Sequence, residues 1–486
     1  MKTTQFFFMA ALALTFAACS NEDNDLTPQQ TAEQPADNMI TITAQLAPKS
    51  GSALTRAVAD NDDNKITVTW ALDETLKIIS ANGHNATATI TAVDGTTGAA
   101  TISFTIDAAA KGQNCTIIYP ADAAVTESSG DYSANPITAQ DGTLNAALDV
   151  RLGKGTITND ATPSLNVTTQ PAAQFAIFKL TIKDIDGTAD VSASSVAISD
   201  QTGATLTTVT PASGYDKQMY VALPITPTTL KFSVTSSDSK KYFNMASELS
   251  LGTKFYQSTV KLATVGNVIA ANGKCYKNAT TASTAGTSAV AMIAYLGDGD
   301  TNTTYNCGLG IALSDANGGN QVPWNSSQAL VDGVSAGSVA DNHNFLNGIA
   351  DTQTLITALG NALGNDYAAA KAAAYSVDGF TPSACGCSNW FLPSGGQWLK
   401  FFAAAGVNID ALNPAANVTL IQNLMTSAAK GSTFKDEGWY WGSSQVNNPI
   451  CTIYVSFYPE GNQYAGLNFS GATMTANLYV RSFIAF

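Results

Sequence analysis

The stretch Ile102-Ser103-Phe104-Thr105-Ile106 puts an apolar side chain at every second position and a hydroxyl between each pair. Successive side chains of a strand point to opposite faces, so this alternation buries one face and leaves the other in water. The same period recurs in Ile40-Thr41-Ile42-Thr43, Ile66-Thr67-Val68-Thr69-Trp70 and Thr87-Ala88-Thr89-Ile90. Asn82-Gly83, Asp94-Gly95 and Asp141-Gly142 punctuate the runs with residues that tolerate the positive φ of tight turns. Residues 39–165 therefore read as a β-sandwich. A second series of strand signals runs from Phe175-Ala176-Ile177-Phe178-Lys179-Leu180-Thr181-Ile182 to Tyr256-Gln257-Ser258-Thr259-Val260, which predicts a second sandwich over 166–264.

Beyond residue 265 the pattern changes. Trp324, Trp390, Trp398, Trp439 and Trp441 all lie there, as do Cys275, Cys307, Cys385, Cys387 and Cys451. Asp351 can cap a helix whose apolar face is Leu355, Leu359 and Leu363, spaced four apart. Ser394-Gly395-Gly396-Gln397 has the spacing of a capping box and leads into Trp398, Leu399, Phe401 and Phe402. Strand signals return at Thr452-Ile453-Tyr454-Val455-Ser456-Phe457 and Leu478-Tyr479-Val480-Arg481-Ser482-Phe483-Ile484. Residues 265–486 thus read as an α+β domain, and the whole chain as mainly β.

With 37 acidic and 23 basic residues the chain carries a formal charge of −14, and it has no basic run. That excludes nucleic acid as a partner, since phosphates bind through clustered Lys and Arg. Only two histidines are present, His84 and His343, which leaves little for a His-based metal site or general base. No cofactor, metal site or catalytic residue is expected, and the chain reads as a non-enzyme.

Lys2, the apolar run Phe6–Phe16 and the small residues Ala17-Ala18 before Cys19 have the order of a signal peptide over 1–18. Cys19 is the expected lipidation site, although Phe16 stands where Leu is usual. Residues 19–38 read as an acidic, solvated tether. No run approaches the ~20 apolar residues of a membrane-spanning helix. The acidic cluster behind Cys19 resembles the signal that sends Bacteroidetes lipoproteins to the outer face of the outer membrane.

The two sandwiches resemble the fimbrillins, pilus subunits of Bacteroidetes. The resemblance rests on Ile66-Thr67-Val68-Thr69-Trp70, Ile118-Tyr119-Pro120, Ala139-Gln140-Asp141-Gly142-Thr143 and Tyr220-Val221-Ala222-Leu223-Pro224, and it implies transthyretin-like folds. Residues 265–486 resemble the C-type-lectin-like domains of some fimbrillin-type tip proteins and adhesins, through Trp390–Trp398, Trp439-Tyr440-Trp441-Gly442-Ser443-Ser444, Tyr454-Val455-Ser456-Phe457 and Val480-Arg481-Ser482-Phe483. The same resemblance implies a fimbrial subunit exposed at the outer membrane, held by a lipid anchor before maturation. Its partners would be other subunits that donate a β-strand, and a host or bacterial surface glycan or protein.

Arginine occurs only at 56, 151 and 481. Arg56 precedes the polar, turn-prone stretch Asp60–Asn64, in what reads as a loop open to proteolysis. Fimbrillins are matured by an arginine-directed protease at such a place, which implies cleavage of the Arg56–Ala57 bond. Loss of the strand 39–46 would leave an apolar groove and unpaired backbone groups that another subunit's strand could fill. Fimbrillins donate a strand from their C-terminal end, but Val480–Phe486 reads as a buried strand of its own domain, so a tip position follows. Trp324, Trp439 and Trp441 are candidates for stacking on sugar rings, although such aromatics more often pack in cores. Gly297-Asp298-Gly299-Asp300-Thr301-Asn302 reads as a turn rather than a calcium loop, and Cys385-Gly386-Cys387 as structural disulfides or thiols. Two alternatives stand beside the tip adhesin: a non-polymerising surface lipoprotein that binds glycans, and an enzyme on the C-terminal fold resembling the oxygen-dependent cysteine oxidases, for which Cys385 and Cys387 are the obvious handle.

Overall fold

The computed structural model describes residues 38–486 apart from 50–53, 62–64, 226–227, 250–254, 364–365, 409–414, 432, 448–449 and 459–465. The signal segment, Cys19 and the tether up to residue 37 lie outside the described residues. The chain is mainly β, 42% strand against 17% helix, and three units follow one another along it.

The first unit comprises β1 (Met39–Leu46), β2 (Leu54–Asn61), β3 (Lys65–Val68), β4 (Thr75–Ser80), β5 (Asn85–Val93), β6 (Ala100–Asp107), β7 (Asn114–Tyr119), β8 (Val125–Ser128), β9 (Asp131–Ala134), β10 (Ala139–Gln140), β11 (Arg151–Ile157) and β12 (Leu165–Ala173). Seven of these form one antiparallel sheet in the order β1-β6-β5-β4-β7-β11-β12. The alternation predicted from sequence is obeyed: on β4 Leu76 and Ile78 are fully buried, and on β6 Ile102, Phe104 and Ile106 point into the same core as Ile42 and Leu46 of β1. The two ends of the sheet come back into contact, and the Ala47 N–H donates to Gln170 Oε1 at 3.0 Å. One curled sheet therefore stands where two facing sheets were expected, because alternation fixes which face is buried but not how far the sheet bends. Glycines in β11 assist the bend. A Cβ on Gly153 would lie 2.7 Å from the Thr169 carbonyl, and one on Gly155 2.8 Å from Leu165 Cδ1, and the register with β12 shifts twice between Leu152 and Gly155, the local irregularity that increases twist.

β12 extends the first sheet to Ala173, so the boundary expected at 165 lies some eight residues later. The two units also interlock, since β10 leaves the first and pairs in parallel with a strand of the second. That second unit contains β13 (Phe175–Asp184), β14 (Ala193–Ser199), β15 (Thr205–Val209), β16 (Gln218–Pro224), β17 (Thr228–Ser236), β18 (Lys241–Leu249) and β19 (Phe255–Leu262). A sheet β10-β15-β14-β17-β18 faces a sheet β16-β13-β19 across Phe178, Leu180, Val196, Ile198, Val221 and Phe232, a two-sheet sandwich.

The third unit mixes strands and helices: β20 (Val268–Ala270), β21 (Cys275–Tyr276), α1 (Ala279–Thr284), β22 (Ala289–Leu296), β23 (Gly308–Ala312), β24 (Ala336–Gly337), α2 (Gly348–Leu363), α3 (Ala368–Ala373), α4 (Gly395–Ala404), α5 (Ala415–Ala428), β25 (Gly438–Asn447), β26 (Ile450–Tyr458), β27 (Gly466–Ala472) and β28 (Phe483–Ala485). Its sheets run β21-β20-β22-β23-β28 and β24-β25-β26-β27. Trp398 on α4 is fully buried, its ring close to those of Phe402, Phe434, Tyr440 and Phe483. Gln397 starts that helix as expected, its Oε1 accepting from the Ser394 N–H at 2.9 Å while Nε2 donates to Gly299 O and Asp300 Oδ2. Helix α2 begins at Gly348, so Asp351 sits inside its first turn and is not the cap. The second and third units share a core in which Phe243 meets Phe486 with ring centroids 4.6 Å apart.

Candidate functional site

The site with most chemistry is where β1 joins the first unit. β1 pairs along its length with β6, from Met39 opposite Asp107 to Leu46 opposite Ala100. Its inward face buries Ile42, Ala44 and Leu46. Its outward face is polar, with Thr41 and Gln45 hydrogen-bonded to Thr105 and Thr101.

Beyond β1 the chain turns inward. The Lys49 side chain is 1% exposed, its Nζ 3.3 Å from Asp149 Oδ2 and 3.7 Å from Glu74 Oε2. It makes no hydrogen bond of good geometry to either. Instead it lies 3.8 Å from the centre of the Tyr119 ring and 4.3 Å from that of Trp70, and these two rings meet edge to face. Burial pushes the Lys49 ammonium below the usual lysine value in spite of both carboxylates. The carboxylate and tyrosine walls of the cage are held independently of Lys49. Arg151 Nε donates to both Asp149 oxygens at 2.8 and 3.0 Å. The Tyr119 hydroxyl donates to Glu74 Oε1 at 2.8 Å, and the Ala71 N–H donates to Oε2. Burial and the adjoining Glu74 push the Tyr119 phenol well above its ordinary value. The Trp70 indole N–H donates to the Ala47 carbonyl at 2.9 Å. Sequence reading missed this cage. The one signal was the charged pair Asp149 and Arg151 flanking an apolar residue at the start of a strand.

Arg56 and Ala57 fall in β2, a strand and not the expected loop. Yet Leu54 pairs with Val68 and Ala59 with Thr67, so 55–58 bulge out against a single step of β3. Arg151 and Arg481 are each 1% exposed.

Two of the three candidate sugar-stacking residues belong to the core. Trp324 is 1% exposed and donates to the Gly442 carbonyl; Trp441 is fully buried and donates to the Val322 carbonyl. This reciprocal pair ties two segments together and leaves neither ring a free face. Trp439 is half-buried, stacked on Tyr454 at 4.7 Å with its N–H on the Tyr458 hydroxyl. Cys385 and Cys387 are thiols, and burial pushes that of Cys387 up to about 12. Asp300, also raised by burial, is engaged in seating α2 and α4 through the Ile349 N–H and Gln397.

At the far end Val480–Phe486 is built into the third unit, every residue 0–1% exposed. Arg481 donates to Asp315 Oδ1 at 2.8 Å and to the carbonyls of Ala312 and Thr433, with its guanidinium 4.7 Å from the Phe434 ring. The Ser482 hydroxyl donates to Ala372 O, and the Ala485 N–H donates to Ser388 Oγ.

No protein-family model matches the chain, and no curated protein matches it. Among solved structures it is similar to a fimbrial protein from Bacteroides ovatus at 14% identity, over 90% of this chain and 100% of that one, with a TM-score of 0.32. It is also similar to a putative cell adhesion protein from Bacteroides ovatus, at 12% identity over 45% of this chain and 95% of that one, TM-score 0.28. A putative cell adhesion protein from Bacteroides fragilis is similar at 14% identity over 46% of this chain and 94% of that one, TM-score 0.26. Likenesses this distant establish neither family nor function.

Proposed function

We propose that the chain is a surface fimbrial subunit, an adhesin at the filament tip that catalyses nothing and joins its neighbour by strand replacement. The observation that carries this reading is the placement of β1. It supplies three buried side chains to the core, sits at the end of the sheet order, and is followed by a bulge containing the Arg56–Ala57 bond. Cleavage there would leave β1 held by non-covalent contacts alone, and another strand with the same alternation could take its hydrogen bonds to β6. The burial of Val480–Phe486 supports the tip position, because that segment cannot be donated without dismantling its own unit. In this reading Cys19 carries the lipid that holds the precursor at the outer membrane, and the third unit, lectin-like in fold, meets the surface glycan or protein.

Sequencing the N-terminus of surface material tests the first half: a mature end at Ala57 is expected, and lipidated Cys19 in all of it, with no higher-mass polymer, would refute it. Immunogold labelling with an antibody to residues 266–486 tests the second. Gold at filament ends is expected; gold along whole filaments would overturn the tip position. The half-buried Trp439–Tyr454 stack favours a second reading, a non-polymerising lipoprotein that captures glycans, which the absence of cleavage would support.

A further inference from the structure

The groups around Lys49 divide into those that would leave with β1 and those that would stay. Lys49 and the Ala47 carbonyl precede the Arg56–Ala57 bond; Trp70, Glu74, Tyr119, Asp149 and Arg151 follow it. Among the described residues the buried cluster is balanced with Lys49 in place, two cations against two carboxylates. Without it, one negative charge is uncompensated, two aromatic faces that met an ammonium are bare, and the Trp70 N–H has lost its acceptor. An apolar strand filling only the places of Ile42, Ala44 and Leu46 would leave all three deficits, each costly in a water-poor interior.

We propose that Trp70, Tyr119, Glu74 and Asp149 form a receptor for a lysine carried by the strand that replaces β1. The partner is thereby specified: apolar residues alternate along the segment lying against β6, and a lysine follows just past the end that pairs with Ala100. A backbone carbonyl beside that lysine takes the Trp70 N–H. Alternating apolarity is common to strands in general, whereas the lysine is a selective feature, so the cage chooses which subunit seats here. The inference rests on the strand-replacement reading above.

The test uses the full chain cut by an arginine-specific protease, with Arg151 and Arg481 protected by burial, and freed of its 1–56 fragment by washing in mild denaturant, the loss being checked by mass. Fluorescein-labelled peptides with the sequence of residues 39–49 are offered to it, one native and others carrying Lys49→Met or Lys49→Gln, and binding is followed by anisotropy. The native peptide is expected to bind at least about tenfold more tightly than either variant, the scale of a desolvated cation on aromatic faces. Equal binding of all three would overturn the lysine receptor while leaving strand replacement standing. Binding of none would overturn strand replacement, and the receptor with it. Because only the peptide is altered, no outcome depends on a variant protein folding.

Discussion

Replacing Arg481 with methionine keeps an unbranched apolar stem in the core and removes the guanidinium with its charge, which tests the lock on the final segment. Arg481 and Asp315 are 1% and 5% exposed, so solvent screening is slight. The substitution leaves Asp315 as a buried carboxylate that keeps, among the described residues, the Tyr440 hydroxyl at 3.3 Å, and it deprives the Ala312 and Thr433 carbonyls of a donor. Removing one partner of a buried pair costs about 3–5 kcal/mol. For a unit of this size 3 kcal/mol corresponds to a fall of roughly 6–12 °C in its melting temperature. Arg481→Met with Asp315→Asn removes both charges, so about 2 kcal/mol or more should return as coupling in the double-mutant cycle. Trp324, Trp390, Trp398, Trp439 and Trp441 all lie in this unit and Trp70 alone lies outside it, so tryptophan fluorescence follows its unfolding almost selectively. A coupling below about 0.5 kcal/mol would show that Arg481 is packed but not locking, and Val480–Phe486 would then be releasable at far lower cost than proposed.

Arg56→Ala should abolish the Ala57 N-terminus in surface material while leaving the melting curve unchanged; continued cleavage at that bond would remove arginine from the argument. Iodoacetamide at pH 8 should label the partly exposed Cys385 in the native protein and spare Cys387, whose thiol is 2% exposed and pushed up to about 12; equal labelling rates, read by peptide mass spectrometry, would refute that burial. Asp351 is 1% exposed, and burial raises its carboxyl above 3.8. Unfolded chains then ionise first as pH rises past 3.8, so this group's contribution to stability is lost upward in pH. The denaturation midpoint of the native chain should therefore fall relative to that of Asp351→Asn between pH 4 and 7, and a rise would reverse the sign of the argument.

What the sequence disclosed follows from what alternation encodes. The strand runs at 40–43, 87–90 and 102–106 lie within observed strands with the predicted face buried, because burial of one face needs only local periodicity. The curl of the first sheet was not legible, since it depends on long-range register and on the close approach allowed by Gly153 and Gly155. Nor was the boundary at Ala173, because β12 obeys the same alternation in either unit. Trp324 and Trp441 could not be told from surface aromatics by composition, as their partners Gly442 and Val322 lie more than a hundred positions away in the chain. The Lys49 cage was not legible for the same reason: its walls come from residues 70, 74, 119 and 149, and the nearest of them stands 21 positions from Lys49.

The two ends of the described chain are secured by different kinds of interaction, and that difference underlies the assembly argument. Beside its backbone bonds to β23, Val480–Phe486 is held through particular side chains of its own: Arg481 on Asp315, Ser482 on Ala372, and Phe486 against Phe243. A foreign sequence would have to reproduce each of them. β1 is held mainly by backbone bonds and by apolar residues at alternate positions, contacts that any strand of the right period can supply. Its outer hydrogen bonds, between Thr41 and Thr105 and from Gln45 to Thr101, are exposed and of small worth. Replaceability of this kind carries no information about the partner, so selectivity must come from a contact beyond the ladder. The Lys49 cage, buried, aromatic and one charge short without its lysine, is where this chain provides it.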